Sequence, residues 1–507
     1  MQIHRSENAR RNIYVGIINK IITIFLPFVV RTVTIKTIGV DYLGLNSLFS
    51  SILQVLNLTE LGFSSAIVYC MYKPIAENDT ETLCGLYNYF KNVYRIIGII
   101  ILLCGVLLTP FLPYLISGNP PIGINIYIVY WIYLFNTSVT YMLYAYKSSI
   151  PNAMQRTDMV NLVSMISMAG MYISQIVVLV AFKDYYLYII LMPLFTIVNN
   201  LLLSFIVDKA FPTIKCSGQI SKETKKEIKV KLTGLMINKI CQITRNSFDS
   251  ICISAFLGLT VTAMYNNYYY VINALVGFST IIIQSLTAGV GNSSIIESRE
   301  KNYRDMRKIN FIYMWLGGWA TICLLCLYQP FMKIWMGNSY LFPYGVVVSF
   351  SIYFYALKMG DIRGLYSDAN GLWWENRFRA IAESLANLVL NILLGKLLGV
   401  YGIIIATLTS LLIINFGMGS QIVFKHYFKN GKMGEYFNDH FKYAITTGIA
   451  ALPTIYICSL VVGNDWIILI SRFAICCVLP NLIYYVIYRR NEVYKEALPW
   501  LVEKIKN

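Results

Sequence analysis

The chain has 507 residues, of which 57% are hydrophobic and only 13% are charged. Soluble domains carry about 25% charged residues, so this composition excludes an ordinary soluble globular protein. Apolar runs long enough to cross a bilayer, about 20 residues each, recur from end to end. The formal net charge of +17 needs no nucleic-acid partner, because basic loops facing the inner leaflet account for it. The sequence therefore predicts an all-α integral membrane protein.

The length of the apolar runs predicts about 14 transmembrane helices. The N-terminal segment "MQIHRSENARRN" is polar and basic, and the run after it is too long for a cleavable signal, so the first helix is expected to be retained. The predicted spans cover residues 12–38, 43–72, 92–116, 124–147, 159–182, 185–207, 231–257, 262–296, 309–334, 342–367, 377–397, 400–425, 442–462 and 466–488.

The distribution of lysine and arginine orients these spans. With the N-terminus inside, most basic residues lie in inward loops or at inward helix ends, and Lys183, Lys333 and Lys396 fall outside. This asymmetry obeys the positive-inside rule. The sequence therefore predicts a multi-pass protein of the plasma membrane with both termini in the cytoplasm.

An internal repeat divides the chain. The segment "IINKI" at 17–21 is matched by "MINKI" at 236–240, and at the same spacing Gly39 corresponds to Gly258. Such repeats are typical of secondary transporters. We predict an N-terminal lobe with six spans, a basic cytoplasmic linker, a second lobe with six spans, and two further helices with a cytoplasmic tail. The corresponding ranges are 1–210, 211–230, 231–430 and 431–507.

Four spans carry polar residues at helical spacing on one face. An arginine or lysine at the bilayer centre costs ~2.5–3.5 kcal/mol, so such residues should face water, each other or a ligand. The stripes are Lys20, Pro27, Arg31 and Thr34 in the first span; Asn46, Ser50, Asn57, Glu60 and Ser64 in the second; Asn238, Gln242, Arg245 and Asp249 in the seventh; and Asn266, Asn273, Thr280 and Gln284 in the eighth.

Simpler roles stay open for several of these residues. Lys20, Lys36 and Arg472 lie near span ends, where their charged heads could reach the interface. Asp249 could neutralise Arg245 one turn away, and Glu60 could be a structural carboxylate.

Two further features in the spans have open roles. Pro27 is expected to bend the first helix and could act as a hinge or gate. In the eleventh span, Glu383, Asn387 and Asn391 share one face, which could serve packing or a site.

The chain shows no pattern typical of enzymes. It contains no nucleotide-binding loop, no metal-ligand spacing and no nucleophile elbow. Cys323 and Cys326 form a CxxC pair inside an apolar span, where small apolar packing residues are the simpler interpretation. The sequence therefore predicts no enzymatic activity and no cofactor, with H⁺ or Na⁺ as the coupling ion if transport is ion-driven.

Two blocks resemble a known family. "RTVTIKTIGVDYLGLNSLFSSILQVLNLTELGFSSAIVYCMYKPIAENDTE" and "DANGLWWENRFRAIAESLANLVLNILLGKLLGVYGIIIATLTS" resemble bacterial polysaccharide repeat-unit flippases of the Wzx type, which serve O-antigen, capsule or teichoic-type polymers. These belong to the multidrug/oligosaccharidyl-lipid/polysaccharide (MOP) exporter superfamily. The resemblance implies two six-helix lobes in a V shape, as in MATE and MurJ proteins, around a basic cavity. It also implies transport of undecaprenyl-diphosphate-linked oligosaccharides for surface polysaccharide synthesis, and Arg31 matches the usual first-helix arginine.

The resemblance and the stripes together give a candidate site. A diphosphate headgroup is anionic and suits arginine and lysine. Expected partners are the lipid-linked glycan, the bilayer and a glycan polymerase or export complex, with the chain itself a monomer. The substrate-binding candidates are Arg31, Lys36, Lys239, Arg245, Asn57, Gln242, Asn273 and Gln284, and the coupling-ion candidates are Asp249, Glu60 and Asp41.

Two other functions compete with this interpretation. A multidrug or cation antiporter of the same superfamily would prefer an acidic or aromatic cavity, whereas bases outnumber acids within these spans. A membrane glycan polymerase or ligase would be expected to carry a large outward loop with catalytic arginine or histidine, and the predicted outward loops are short.

Overall fold

The computed structural model describes residues 5–57, 77–116, 120–121, 123–154, 156–220, 247–429 and 431–506, together with parts of 68–75 and 237–244. Every regular element in this part of the chain is helical. This confirms the predicted all-α class.

The chain divides into two compact units, Met1–Ala263 and Met264–Asn507. The helices that begin in the first unit are α1 (Arg5–Thr37), α2 (Val40–Leu56), α3 (Thr80–Leu108, extended by a 3-10 helix over Thr109–Leu115), α4 (Ile126–Met142), α5 (Ser149–Ala153), α6 (Thr157–Ala181), α7 (Tyr185–Ala210), α8 (Ser247–Leu257) and α9 (Leu259–Ile296). The lobe boundaries expected from the sequence stay predictions.

The second unit contains the remaining helices. They are α10 (Arg299–Met336), α11 (Tyr344–Met359), α12 (Asp361–Ala369), α13 (Arg377–Leu398), α14 (Val400–Thr409), α15 (Gly419–Val423), α16 (Met433–Ser459), α17 (Asp465–Tyr488) and α18 (Glu492–Lys506). Two π-helical segments, Ser410–Met418 and Phe424–Phe428, flank α15.

Many of these helices can cross a membrane. Within the described residues, nine continuous helical stretches are long and apolar enough, and two of them, Tyr344–Ala369 and Val400–Phe428, join shorter elements. The number is ten when the pair Ile126–Met142 and Ala145–Ala153, bent by 52°, counts as one span. They correspond to the third to sixth and the ninth to fourteenth predicted spans. The first and eighth predicted spans are helical as α1 and α9, and the second and seventh extend outside the described residues. The chain is a multi-pass membrane protein.

Two helices begin about three turns before the predicted spans, because polar first turns extend them. The Asp79 carboxylate caps α3 by accepting from the Thr82 N–H at 2.9 Å, and the Ser298 hydroxyl caps α10 by accepting from the Lys301 N–H at 3.3 Å. The Thr82 hydroxyl and N–H lower the pKa of Asp79. Apolar run length predicts only the part of a helix that is in lipid.

The two glycines that the predicted repeat pairs have similar backbone conformations. Gly39 and Gly258 both adopt positive φ, at 112° and 86°, immediately before α2 and α9. Asp41 and Thr260, which are 219 residues apart, follow these glycines and hydrogen-bond to each other through their side chains. Glycine adopts positive φ at little cost, which suits it to the sharp turn at both places. The two turns that the predicted repeat pairs thus meet through this hydrogen bond.

Candidate functional site

The polar stripe of α1 lies on a helix that continues unbroken through Pro27. α1 packs along α6 and also contacts α2. Arg31 is half-buried one turn beyond Pro27, whereas Thr34 is fully buried and donates its hydroxyl to the Val30 carbonyl at 2.8 Å. Three-residue spacing places Arg31 and Thr34 on the same side of the helix.

A buried amide on α2 gathers tyrosines from two other helices. The Asn46 Oδ1 atom accepts hydrogen bonds from the Tyr133 hydroxyl at 2.5 Å and from the Tyr185 hydroxyl at 2.6 Å. The Asn46 Nδ2 group donates to the Tyr188 hydroxyl at 3.3 Å. All four side chains are at least nine-tenths buried. We call Asn46, Tyr133, Tyr185 and Tyr188 the amide–tyrosine cluster.

The cluster adjoins the stripe of α1. Thr34 lies beside the Tyr188 hydroxyl, and the Arg31 guanidinium lies within electrostatic range of the Tyr133 and Tyr188 hydroxyls. Tyr185 and Tyr188 share a face of α7 at a spacing of three residues, which brings both to Asn46. The hydroxyl protons of Tyr133 and Tyr185 are already donated to Asn46. The group in this part of the first unit that suits anionic oxygens is therefore the Arg31 guanidinium.

The remaining predicted site residues are placed differently. Asp41 is bonded to Thr260, and Asp249 is buried on α8. Asn57 ends α2, and its buried Oδ1 atom has no hydrogen-bond partner among the described residues. Lys36 and Asn273 are exposed.

The other predicted positions are not described. Glu60, Asn238, Lys239, Gln242 and Arg245 lie outside the described residues. The same holds for the side chains of Lys20 and Gln284. Their roles stay predictions, as do those of the residues above.

The second unit holds a buried charge network that sequence analysis located only in part. The Glu383 carboxylate accepts from Arg379 Nη1 at 2.7 Å and from Asn415 Nδ2 at 2.8 Å. Asn415 Oδ1 in turn accepts from Arg363 Nη2 at 2.9 Å. A Cβ atom at Gly419 would lie 1.8 Å from Arg363 Nη1, so this glycine leaves room for the guanidinium. The polar face of the eleventh span therefore contacts the π-helical segment Ser410–Met418, and Asn415 of that segment links it to Arg363 on α12.

Lys358 is a second buried cation of this unit, in addition to Arg363. Lys358 Nζ donates to Asp361 Oδ2 at 2.7 Å, and the Tyr313 hydroxyl donates to the same carboxylate. Lys358 is 2% exposed and Arg363 is 5% exposed. Sequence analysis did not single out either residue, because a count of basic residues by position does not report which of them turn into the protein.

One histidine is buried although it precedes the thirteenth predicted span. His440 is 1% exposed on α16 and contacts the rings of Phe416 and Tyr436. The reason is that α16 begins at Met433, nine residues before the predicted span, so His440 lies on a packed helix.

Comparison with known proteins identifies the fold. The sequence matches no protein-family model and no curated protein. The lipid II flippase MurJ in an inward closed conformation is similar in structure, with a TM-score of 0.66 and 16% identity over 94% of this chain and 98% of that one. An inward-facing multidrug resistance MATE family transporter of the MOP superfamily has a TM-score of 0.60 and 12% identity, over 81% of this chain and 96% of that one. The Vibrio cholerae MATE transporter VcmN has a TM-score of 0.56 and 16% identity, over 85% of this chain and 100% of that one.

The chain therefore shares the all-helical fold of these MurJ and MATE structures. The three structures named here are a flippase and two transporters.

Proposed function

We propose that this protein is a flippase that moves undecaprenyl-diphosphate-linked oligosaccharide repeat units across the bacterial plasma membrane. The observation that carries the proposal is the arginine of α1, held beside the amide–tyrosine cluster inside a membrane unit of MurJ-like fold. Arg31 also stands where the sequence resembles the repeat-unit flippases. Both termini would face the cytoplasm, in agreement with the positive-inside rule.

The chemistry of the substrate suits these groups. Arginine binds phosphate oxygens through two parallel hydrogen bonds, and each such bond is charge-assisted. The tyrosine hydroxyls beside the guanidinium donate to Asn46, so they support the wall of the site and leave phosphate binding to Arg31. The polyprenyl tail is apolar and can remain in lipid while the headgroup crosses by alternating access. Lys36, Asn57 and Asn273 are further candidates to contact the headgroup.

A cation antiporter is the second candidate, because two of the similar structures are MATE transporters. An organic cation would be repelled by Arg31, whereas a diphosphate would be attracted. H⁺ or Na⁺ binding at Asp41, Glu60 or Asp249 is compatible with either function. The two candidates therefore differ in the charge of the transported molecule.

Complementation tests the proposal. In a strain lacking its own repeat-unit flippase, the wild-type chain should restore surface polysaccharide, Arg31→Ala should not, and Arg31→Lys should restore part, because lysine keeps the charge without the paired geometry. Arg490→Ala, at an exposed arginine after α17, serves as the control.

Immunoblots must show equal amounts of each variant in the membrane. Full export by Arg31→Ala would remove Arg31 from the site. Restored resistance to organic cations without glycan export would favour the antiporter.

A further inference from the structure

Three cysteine side chains meet inside the second unit, each from a different helix. Cys326 lies on α10, Cys458 on α16 and Cys476 on α17, and their Sγ atoms all lie within 4.8 Å of one another. Their exposed fractions are 4%, 2% and 0%. Cys323, one turn before Cys326, lies within hydrogen-bond reach of Cys476. The sequence favoured an interpretation of Cys323 and Cys326 as small apolar packing residues. Their contact with Cys458 and Cys476 could not be predicted, because these two lie more than a hundred residues further along the chain.

The spacing suits a soft metal ion. Zinc binds cysteine sulfur at ~2.3 Å with tetrahedral geometry, so two sulfurs on one ion lie about 3.8 Å apart. Sulfur atoms already within 4.8 Å of one another reach that separation by side-chain shifts of roughly half an ångström each. None of the described cysteines is in a disulfide. Soft thiolate ligands select Zn²⁺ and Cu⁺ over hard cations such as Mg²⁺.

A nearby arginine supplies compensating charge. Arg472 lies one turn before Cys476 on α17, and its Nη1 group donates to the Cys326 carbonyl at 3.4 Å. Its Nε atom is buried and has no hydrogen-bond partner among the described residues. The guanidinium lies within electrostatic range of Cys458 and Cys476. A buried charge is costly unless it is paired. Three thiolates with Zn²⁺, or two thiolates with Cu⁺, carry one net negative charge, which Arg472 balances.

We propose that Cys326, Cys458 and Cys476 form a binding site for one soft d¹⁰ cation, Zn²⁺ or Cu⁺. Each thiol that binds loses its proton, so Zn²⁺ binding by all three releases three protons and Cu⁺ binding by two releases two. The bound ion links α16 and α17 to α10 and so fastens the last two membrane helices to the rest of the second unit. This site is independent of the flippase function proposed above.

Metal stoichiometry tests the site in the full-length purified protein. The chain, kept reduced with a phosphine, is incubated separately with Zn²⁺ and with Cu⁺, desalted, and analysed by elemental mass spectrometry. We expect about one ion per chain, a thiolate-to-metal absorption band, and a higher melting temperature with metal than without. The arm that retains metal identifies the cation.

Cysteine variants assign the ligands. Cys458→Ala and Cys476→Ala should each lose most of the metal and the absorption band. Cys252→Ala, at a buried cysteine on α8 of the first unit, should retain both. A melting temperature close to that of the metal-free wild-type protein shows that each variant is folded; if an alanine variant unfolds, the serine variant replaces it.

Three results would overturn the proposal. The first is no retained Zn²⁺ or Cu⁺ in the wild-type protein. The second is a stoichiometry that the variants leave unchanged. The third is a disulfide between two of these cysteines, found by mass spectrometry of protein prepared without reductant, with no metal bound after reduction.

Discussion

The side-chain oxygen of Asn46 accepts hydrogen bonds from two buried tyrosine hydroxyls. Tyr133 and Tyr185 come from α4 and α7, so the amide joins three helices beside the stripe of α1. Buried hydroxyls that lose their acceptor pay a desolvation cost without compensation. Asn46 therefore positions aromatic groups beside Arg31. Its removal should lower the stability of the protein and reduce transport.

Replacing Asn46 by alanine tests this role. We expect Asn46→Ala to lower the free energy of unfolding by on the order of 1–3 kcal/mol for each unsatisfied hydroxyl. Adding Tyr185→Phe should recover part of that loss, because the orphaned hydroxyl is then absent. Asn273→Ala, which removes an exposed amide, should leave the melting temperature unchanged. Thermal unfolding in detergent compares the wild type, the two single variants, the double variant and the control, and additive effects of Asn46→Ala and Tyr185→Phe would disprove the coupling.

At the scale of helices, α2 and α9 approach each other closely near the start of α2. A Cβ atom at Gly44 would lie 2.2 Å from the Leu259 carbonyl oxygen at the start of α9. The opposing atom belongs to the backbone and cannot rotate away. This crossing lies beside the bond between Asp41 and Thr260, where the equivalent turns of the repeat meet.

Gly44→Ala should therefore separate α2 from α9. Overpacking of this kind costs ~1–3 kcal/mol, occasionally more, so we expect a lower melting temperature and less folded protein in the membrane. Gly448→Ala on α16 is the control, because no atom lies within 4 Å of the added Cβ. A Gly44→Ala protein as stable as wild type would mean that the two backbones do not approach so closely.

The sequence predicted these helices better than their contacts. Bilayer thickness limits the length of an apolar run, so the spans could be located without any tertiary information. The stripe of Arg31 and Thr34 could likewise be predicted from helical periodicity. The tyrosines of the amide–tyrosine cluster could not, because their sequence neighbours are apolar and aromatic and do not reveal which hydroxyl meets Asn46. The same holds for Arg363, whose burial depends on Gly419 and Asn415 more than fifty residues later.

For the molecule as a whole, the proposed function depends on a cationic group that is held inside an apolar protein and attracts an anionic lipid headgroup. A cation at mid-bilayer is expensive unless it faces water, a partner or a ligand. The MurJ-like fold provides the helical frame, and Arg31 beside the amide–tyrosine cluster provides a candidate binding group. The proposed function therefore requires that the isolated chain moves a lipid-linked diphosphate.

Reconstitution gives the most direct measurement. The purified chain is placed in liposomes that contain a fluorescent polyprenyl-diphosphate oligosaccharide, and the fraction accessible to an external quencher is followed with time. We predict exchange between leaflets with the wild-type chain and with Arg490→Ala, and almost none with Arg31→Ala or in empty liposomes. Exchange by the wild-type chain no faster than in empty liposomes, with or without an ion gradient, would contradict the account.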